Sequence, residues 1–157
     1  MAVIRQRQAV IAALEDELAS NEKVFLMGED ISSGGAFKAT EGLIDIFGPN
    51  RVLDTPISEM AFLGAGVGAA AKGYRPVVEM MFIEFIGVAL DQLTTHGAFF
   101  RYLSRGAYKV PMTIRAAAGA GLGFGCQHSQ LLDQWFRGNK GISLVMPSNP
   151  QSMYGLL

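Results

Sequence analysis

Two side chains in this sequence have the type and the setting that proton transfer requires, Glu59 and His128. Glu59 ends the stretch 54–59, Asp-Thr-Pro-Ile-Ser-Glu, at the start of a predicted helix with apolar residues after it. Apolar surroundings stabilise the neutral form of a carboxyl group, which can then share a proton. The simpler interpretation is a carboxylate that interacts favourably with the positive end of a helix. From the residues alone, both interpretations of Glu59 stay open.

His128 directly follows a glycine-rich segment, residues 117–127. Such a segment can close over a substrate and exclude water, and its backbone N–H groups can cradle a phosphate. It lacks the Lys-Ser/Thr pair that completes a P-loop. Because a single histidine often has only a structural role, the pattern makes His128 a candidate and no more.

Two further motifs are weaker. Residues 64–69, Gly-Ala-Gly-Val-Gly-Ala, match the glycine pattern of dinucleotide-binding folds, but a helical stretch precedes them where that pattern requires a strand. We interpret these glycines as a place where backbones pack closely. Ser129 lies beside His128 but has no Gly-x-Ser-x-Gly context, so the pair does not predict a hydrolase.

The composition is typical of one globular domain: 157 residues, half of them hydrophobic and 17% charged. The formal net charge is −1 with interspersed charges, which favours neither nucleic acid nor a membrane surface as a partner. A single cysteine and two distant histidines predict no internal disulfide and no metal site in this chain. No window approaches the ~20 apolar residues of a membrane span. We expect a cytoplasmic protein.

Hydrophobic periodicity predicts the elements that position these side chains. Helices are predicted over residues 5–20, 40–47, 59–72 and 86–103, and strands at 24–27, 51–53, 76–82, 111–114 and 142–146. The helix 59–72 is apolar all round, so we expect it to be buried on most sides. Strands that alternate with helices predict an α/β fold, a parallel sheet with helices on both faces. Because the last residues are apolar and lie inside a forming helix, we expect a truncated piece of a longer chain.

Several motifs occur together in the order and spacing of one enzyme family. They are Gly28-Glu29-Asp30, residues 34–43, residues 51–59, residues 73–76, Asp91-Gln92, residues 127–130, Pro147-Ser148 and residues 155–157. Over nearly the whole chain they resemble the N-terminal half of the β subunit of a thiamine-diphosphate-dependent 2-oxo acid dehydrogenase, of the pyruvate, branched-chain or acetoin type. The resemblance implies that residues 1–157 form a transketolase-like pyrimidine-binding domain. It also implies that the C-terminal domain of the full β subunit is absent.

The resemblance assigns the cofactor contacts to three residues. Glu59 would hydrogen-bond a ring nitrogen of the aminopyrimidine and share the proton that activates the cofactor. Phe85 would pack on the pyrimidine ring, and Ile57 would line the site.

Three more residues receive roles in the same way. His128 would lie near the substrate carbonyl and assist acyl transfer to a lipoyl group. Glu29 and Asp91 match acids that lie between the two active sites in some assemblies.

The rest of the site is implied to come from other chains. The sequence has no Gly-Asp-Gly, which begins the motif that binds Mg²⁺ and diphosphate in this family. We therefore expect an α subunit to supply Mg²⁺ and the diphosphate half of the thiamine diphosphate site. A second β subunit would complete a heterotetramer, and a lipoyl acyltransferase would accept the acyl group. Some members also hold K⁺ near the strand that follows Pro111.

The implied function is oxidative decarboxylation of a 2-oxo acid, of the pyruvate type, with the isolated fragment inactive. Three alternatives stay open: the β subunit of an acetoin-cleaving dehydrogenase, a transketolase-like carboligase, and a non-catalytic scaffold domain. Phe99-Phe100, Arg105-Gly106 and residues 137–141 depart from the usual family pattern. These departures leave the substrate and the partner contacts undetermined.

Overall fold

A single parallel sheet organises the molecule, in a computed structural model that describes residues 4–157. Its strands are β1 (Val24–Gly28), β2 (Val52–Asp54), β3 (Arg75–Phe82) and β4 (Thr113–Ala117), in the order β2-β1-β3-β4. Each neighbouring pair is parallel. Parallel neighbours need crossover connections, and helical segments provide them here. The predicted α/β class is confirmed.

The helices follow the strands in alternation. They are α1 (Gln6–Ser20), α2 (Leu43–Phe47), α3 (Glu59–Ala71), α4 (Phe100–Leu103) and α5 (Pro150–Leu156). Short 3₁₀ turns occur at Ile31–Ser33, Ile83–Gly87, Ala120–Leu122 and Asp133–Phe136, and Gln92–Gly97 is π-helical. Among residues 4–157, no helix combines the length and the apolar character that a membrane crossing needs.

The core has two layers because successive strand residues point to opposite faces of the sheet. Leu26 of β1 and Val77 of β3 lie in one buried cluster, with the apolar residues of α1 and α2. Met27 and Val78, one position later in each strand, lie in the other cluster, with α3 and the segment 83–93. The predicted cover of helices on both faces is therefore confirmed.

Helix α3 is less buried than its composition predicts. Phe62, Leu63 and Val67 lie in the core, whereas Ala61 and Ala65 are exposed. The prediction of burial on most sides was therefore wrong: α3 buries one stripe, as an amphipathic helix would, although its exposed residues are Met60 and small residues instead of polar ones.

The predicted long helix 86–103 is interrupted. The Thr94 hydroxyl donates to the carbonyl oxygen of Leu90 at 2.9 Å, and the backbone N–H of Ala98 donates to Leu93, five residues back. Side-chain bonds to the preceding turn compete with regular helix geometry, and π-helical turns result from such local insertions. The element is present, but as three short helical pieces.

The strand predicted at 142–146 is wrong: in the described chain this segment has no regular secondary structure and is not paired with the sheet. Only Ile142 packs against the core, while Leu144, Val145 and Met146 are about half exposed. An apolar run alone does not make a strand, because a strand also needs a neighbour to bond with its backbone.

A bulge in β3 changes how this strand ends. Its pairing with β4 shifts register between Glu79 and Phe82, and Met81 has a positive φ of 51°. Before the bulge, Arg115 of β4 forms an ion pair with Glu79, and both side chains are largely buried. Burial raises the pKa of Glu79, against the lowering effect of Arg115. Bulges re-aim the side chains that follow them, and here the next side chain is Phe82.

Candidate functional site

Four buried polar atoms without hydrogen-bond partners gather at the carboxyl end of the sheet. Among residues 4–157 they are Glu29 Oε1, Thr55 Oγ1, Glu84 Oε2 and His128 Nδ1. Each follows a different strand: Glu29 comes after β1, Thr55 after β2, Glu84 after β3 and His128 after β4. Buried polar groups nearly always have partners, so such exceptions need an explanation. Their position is where open α/β sheets bind ligands.

Glu29 lies close enough to Glu59 for the negative charge of Glu59 to raise its pKa. Glu29 directly follows β1 and is 8% exposed, and Glu59 is the first residue of α3 and is half-buried. Burial raises the pKa of Glu29, the negative charge of Glu59 raises it further, and a hydrogen bond from the Ser58 backbone lowers it. Two neighbouring carboxyl groups hold a proton more readily than either would alone. We call these two residues the acid pair.

The stretch 54–59 brings Glu59 to this place through backbone contacts. Asp54 accepts a hydrogen bond from the Ser32 N–H at 2.8 Å, and the Thr55 N–H donates to Gly28 at 3.0 Å. Ser58 stands at the N-cap of α3 as predicted, but its hydroxyl donates to the Pro56 carbonyl oxygen at 3.1 Å and does not cap the helix. The start of α3 is thus tied to the end of β1.

His128 lies in a group of rings that we call the aromatic cluster: Phe37, Phe82, Phe85, Phe124 and His128. Its imidazole stacks on Phe82 with 4.9 Å between ring centroids and meets Phe85 edge to face at 5.3 Å. The sequence therefore nominated two residues, Phe85 and His128, that the structure brings into contact.

A small cavity lies beside Glu29. It has a volume of about 10 Å³ and is lined by Glu29, Thr40, Glu79 and residues of the loop 34–39. Such a volume holds about one water molecule. A ligand of coenzyme size at this edge would therefore need walls from another chain.

Ile57 and Asp91, also nominated by the resemblance, lie on the surface. Ile57 is 83% exposed, and the Asp91 carboxylate lies 3.5 Å from His96 Nε2 with both side chains more than half exposed. The structure does not place either residue among the buried groups of this edge.

Thr55 and Glu84 were not predicted from the sequence. Thr55 lies inside the stretch 54–59, and Glu84 stands next to Phe85, so both are neighbours of nominated residues. The residues that follow parallel strands meet at one edge of the sheet, and this rule would have selected both.

The fold and the site define a class: a parallel α/β domain that gathers acids, a histidine and aromatic rings at the carboxyl edge of its sheet. The chain belongs to the family of transketolase pyrimidine-binding domains, whose family model matches residues 3–157.

Three relatives locate the chain more narrowly. The 2-oxoisovalerate dehydrogenase subunit beta of Bacillus subtilis (strain 168) is 40% identical over 158 residues, which is 100% of this chain and 48% of that protein. The mitochondrial pyruvate dehydrogenase E1 component subunit beta-1 of Oryza sativa subsp. japonica is 43% identical, over 96% of this chain and 41% of its own length. The acetoin:2,6-dichlorophenolindophenol oxidoreductase subunit beta of Bacillus subtilis (strain 168) is 41% identical, over 99% and 49%.

These matches confirm the resemblance to β subunits of 2-oxo acid dehydrogenases, and the chain spans about half the length of those relatives. A solved structure, "Split gene transketolase, inactive beta4 tetramer", has a similar fold, with a TM-score of 0.74 at 20% identity over 99% of this chain and 47% of that one. The three relatives are named for three different substrates, so similarity alone does not select one.

Proposed function

We propose that this chain is the pyrimidine-binding part of the β subunit of a thiamine-diphosphate-dependent 2-oxo acid dehydrogenase. Its reaction is oxidative decarboxylation of a 2-oxo acid, of the pyruvate type, followed by acyl transfer to a lipoyl group. The observation that supports this most is the set of unpartnered buried polar atoms, one after each strand, among them Glu29 Oε1, which lies close to Glu59. The similarity to the three β subunits points the same way.

The residues at this edge fit an aminopyrimidine ring. Such a ring needs a carboxyl group that can exchange a proton with a ring nitrogen, and an apolar face to pack on. The half-buried Glu59 supplies the first and Phe85 the second, with Ile57 at the rim of the site. When bound, thiamine diphosphate supplies the electron sink that decarboxylation requires.

The chain's own groups divide the handling of protons. Glu59 would hold the proton that it shares with a ring nitrogen of the bound cofactor. Burial raises the pKa of Glu29, so this neighbour stays protonated to higher pH and adds less negative charge beside Glu59. His128, whose Nδ1 is buried and unpartnered, would lie near the substrate carbonyl and assist acyl transfer to the lipoyl group.

Other chains complete the assembly in this proposal. An α subunit contributes Mg²⁺ and the diphosphate half of the site, a second β subunit completes a heterotetramer, and a lipoyl acyltransferase takes the acyl group. The C-terminal domain of the full β subunit holds that tetramer together. A role for Asp91 between two active sites, a K⁺ site after Pro111 and a cytoplasmic location stay predictions.

Replacement of Glu59 by Gln in the full β subunit, co-expressed with its α subunit, tests the proposal. Glu59→Gln keeps the shape but removes the exchangeable carboxyl proton, so we expect decarboxylation to fall by roughly 100-fold or more. Glu15→Gln, on the exposed face of α1, is the control and keeps the wild-type rate. A wild-type rate for Glu59→Gln would contradict the assignment.

One relative favours a second candidate, an acetoin-cleaving dehydrogenase. Rates with pyruvate, a branched-chain 2-oxo acid and acetoin, measured on the same assembly, distinguish the two. Failure of the assembly to bind thiamine diphosphate at all would favour the scaffold alternative. Transfer of a two-carbon unit between sugars would favour the carboligase.

A further inference from the structure

The glycine-rich loop over the carboxyl edge, residues 118–130, has open space around four of its glycines. Gly119, Gly123 and Gly125 have positive φ angles of 106°, 71° and 78°. At these three glycines and at Gly121, no atom of the described chain comes within 4 Å of where a Cβ would stand. We call residues 118–130 the glycine lid. Because its glycines have no side chains to pack, this segment is held in place by the contacts of its other residues.

The first such contact is apolar. The ring of Phe124 meets Phe82 edge to face at 5.7 Å between centroids and Phe37 at 6.2 Å. Phe82 also carries the stacked imidazole of His128. Phe124 and His128 therefore rest on one ring from the sheet, while Phe124 itself stays 54% exposed. The lid therefore contacts the domain through the Phe124 ring, while part of that ring faces solvent.

The second contact is polar. Glu84 Oε1 accepts a hydrogen bond from the Gln130 N–H at 2.6 Å, two residues after His128. Within the lid, the Phe124 N–H donates to Ser129 Oγ at 3.0 Å, and the Gly119 N–H donates to the Gln130 carbonyl oxygen at 2.8 Å. The apolar and polar contacts are thus linked to each other, and His128 lies between them in the chain.

We propose that the glycine lid is held closed by Phe124 on Phe82 and by Glu84 on Gln130, and that Phe124 and Glu84 are positioning residues for His128. The role of His128 rests on the proposed function, whereas the closure rests on the contacts alone. When Phe124 leaves Phe82, the lid opens, and the imidazole is exposed to water and loses its fixed orientation. When the lid is closed, the imidazole is held on two rings and shielded from water.

The test measures closure without turnover, in the full β subunit assembled with its α subunit. Hydrogen–deuterium exchange reports on the peptide 118–130, and mass spectrometry locates the reaction of diethyl pyrocarbonate with His128. Loss of the two ring contacts of Phe124, with Phe82 and Phe37, shifts an opening equilibrium by roughly tenfold. We therefore expect Phe124→Ala to raise both the exchange rate of the peptide and the His128 reaction rate by roughly tenfold.

The matched control is Leu131→Ala, because Leu131 is also 54% exposed and lies just outside the lid. We expect it to leave both rates unchanged. Phe124→Tyr keeps the ring and restores both rates. Wild-type exchange and wild-type His128 reactivity in Phe124→Ala would overturn the proposal, and so would an equal effect of Leu131→Ala.

The polar contact has its own pair of variants. Glu84→Gln keeps an acceptor oxygen, so we expect near wild-type exchange at Gln130, whereas Glu84→Ala raises it. In steady-state assays, Phe124→Ala and Glu84→Ala lower kcat more than they change KM, because they disturb His128 and not binding. Equal exchange in Glu84→Gln and Glu84→Ala would remove Glu84 from the proposal. An active Glu59→Gln variant would contradict the proposed function but would leave the exchange results unaffected.

Discussion

At the residue scale, the two carboxyl groups of the acid pair differ in burial because they occupy different positions in the fold. Glu29 ends a central strand and is almost completely buried, while Glu59 begins a helix and reaches the surface in part. Burial stabilises the neutral form of Glu29, and a negative charge on Glu59 has the same effect. Glu29 therefore keeps its proton to a higher pH than a free glutamate does.

This difference makes a prediction for Glu29→Gln. Because its pKa is raised in the folded state, Glu29 stabilises the fold fully below the ordinary value of 4.5, and this contribution is lost as the pH rises through the raised value. At pH 7 the wild type must bury a charge that the variant lacks. We expect Glu29→Gln to be the more stable protein at pH 7, by on the order of 1 kcal/mol.

Melting temperatures of both proteins between pH 4 and pH 8 check this prediction. The advantage of the variant should shrink as the pH falls toward 4.5. An advantage that is the same at every pH would show that Glu29 keeps its ordinary pKa. Glu15→Gln, on the exposed face of α1, should show no such dependence on pH.

The residues of the site differed in how well they could be predicted. Residue types and spacing made Glu59 and His128 candidates, whereas Phe85 was named only by the family resemblance. Thr55 and Glu84 carry no such signal. That each has a buried polar atom without a partner is seen only in the folded structure, where the ends of the strands come together. Ile57 could be named but not placed, because exposure depends on packing that a linear pattern does not contain.

At the scale of elements, the glycines of α3 have opposite surroundings within one helix. A Cβ on Gly66 would stand 2.9 Å from Val78 Cγ2 and 3.0 Å from Met112 Sδ, whereas no atom of the described chain comes within 4 Å of the same position on Gly68. Packing against Val78 and Met112 thus favours a glycine at position 66, whereas position 68 has space for a side chain. This supports the interpretation of residues 64–69 as a place of close packing.

Alanine substitutions should separate these two positions. Gly68→Ala improves helix propensity without a clash, so we expect about 0.5–1 kcal/mol of added stability. Gly66→Ala makes the same gain but overpacks the core, so it should lie about 1–3 kcal/mol below Gly68→Ala. Denaturant unfolding of both variants measures the difference, and equal stabilities would contradict close packing at Gly66.

Elements with strong periodicity were predictable and elements set by neighbours were not. Helix α1 matches its prediction within one residue at its start, because its apolar residues repeat at helical spacing. The segment 86–103 also repeats in this way, yet the bond from Thr94 to Leu90 interrupts it. Residues 142–146 have the composition of a strand but no paired neighbour. Local pattern predicts the kind of element, whereas contacts with the rest of the chain decide its continuity and pairing.

At the scale of the whole molecule, the carboxyl edge has chemical groups but little enclosed space. The cavity beside Glu29 holds about one water molecule. Large apolar side chains near the start of α3 and in α4 are exposed, with Ile57 at 83%, Met60 at 53% and Leu103 at 69%. Exposed apolar groups of this size are common where another chain binds. Both features agree with a site that is completed at an interface.

The corresponding prediction concerns binding of the cofactor. We expect calorimetry to detect no binding of thiamine diphosphate with Mg²⁺ to this 157-residue chain alone, and to detect it once the full β subunit is assembled with its α subunit. The reason is that one carboxyl group and one ring face contribute too little binding free energy without the diphosphate contacts, which are charge-assisted and strong.

Glu59→Gln separates the two halves of the site within the assembly. Because the diphosphate contacts stay intact, the variant should still bind thiamine diphosphate, with an affinity lowered by roughly tenfold for one lost charge-assisted hydrogen bond. Binding of the cofactor to the chain alone, with wild-type affinity, would mean that this edge holds it without a partner. The proposed division of the site between subunits would then be wrong, even if Glu59 kept its role.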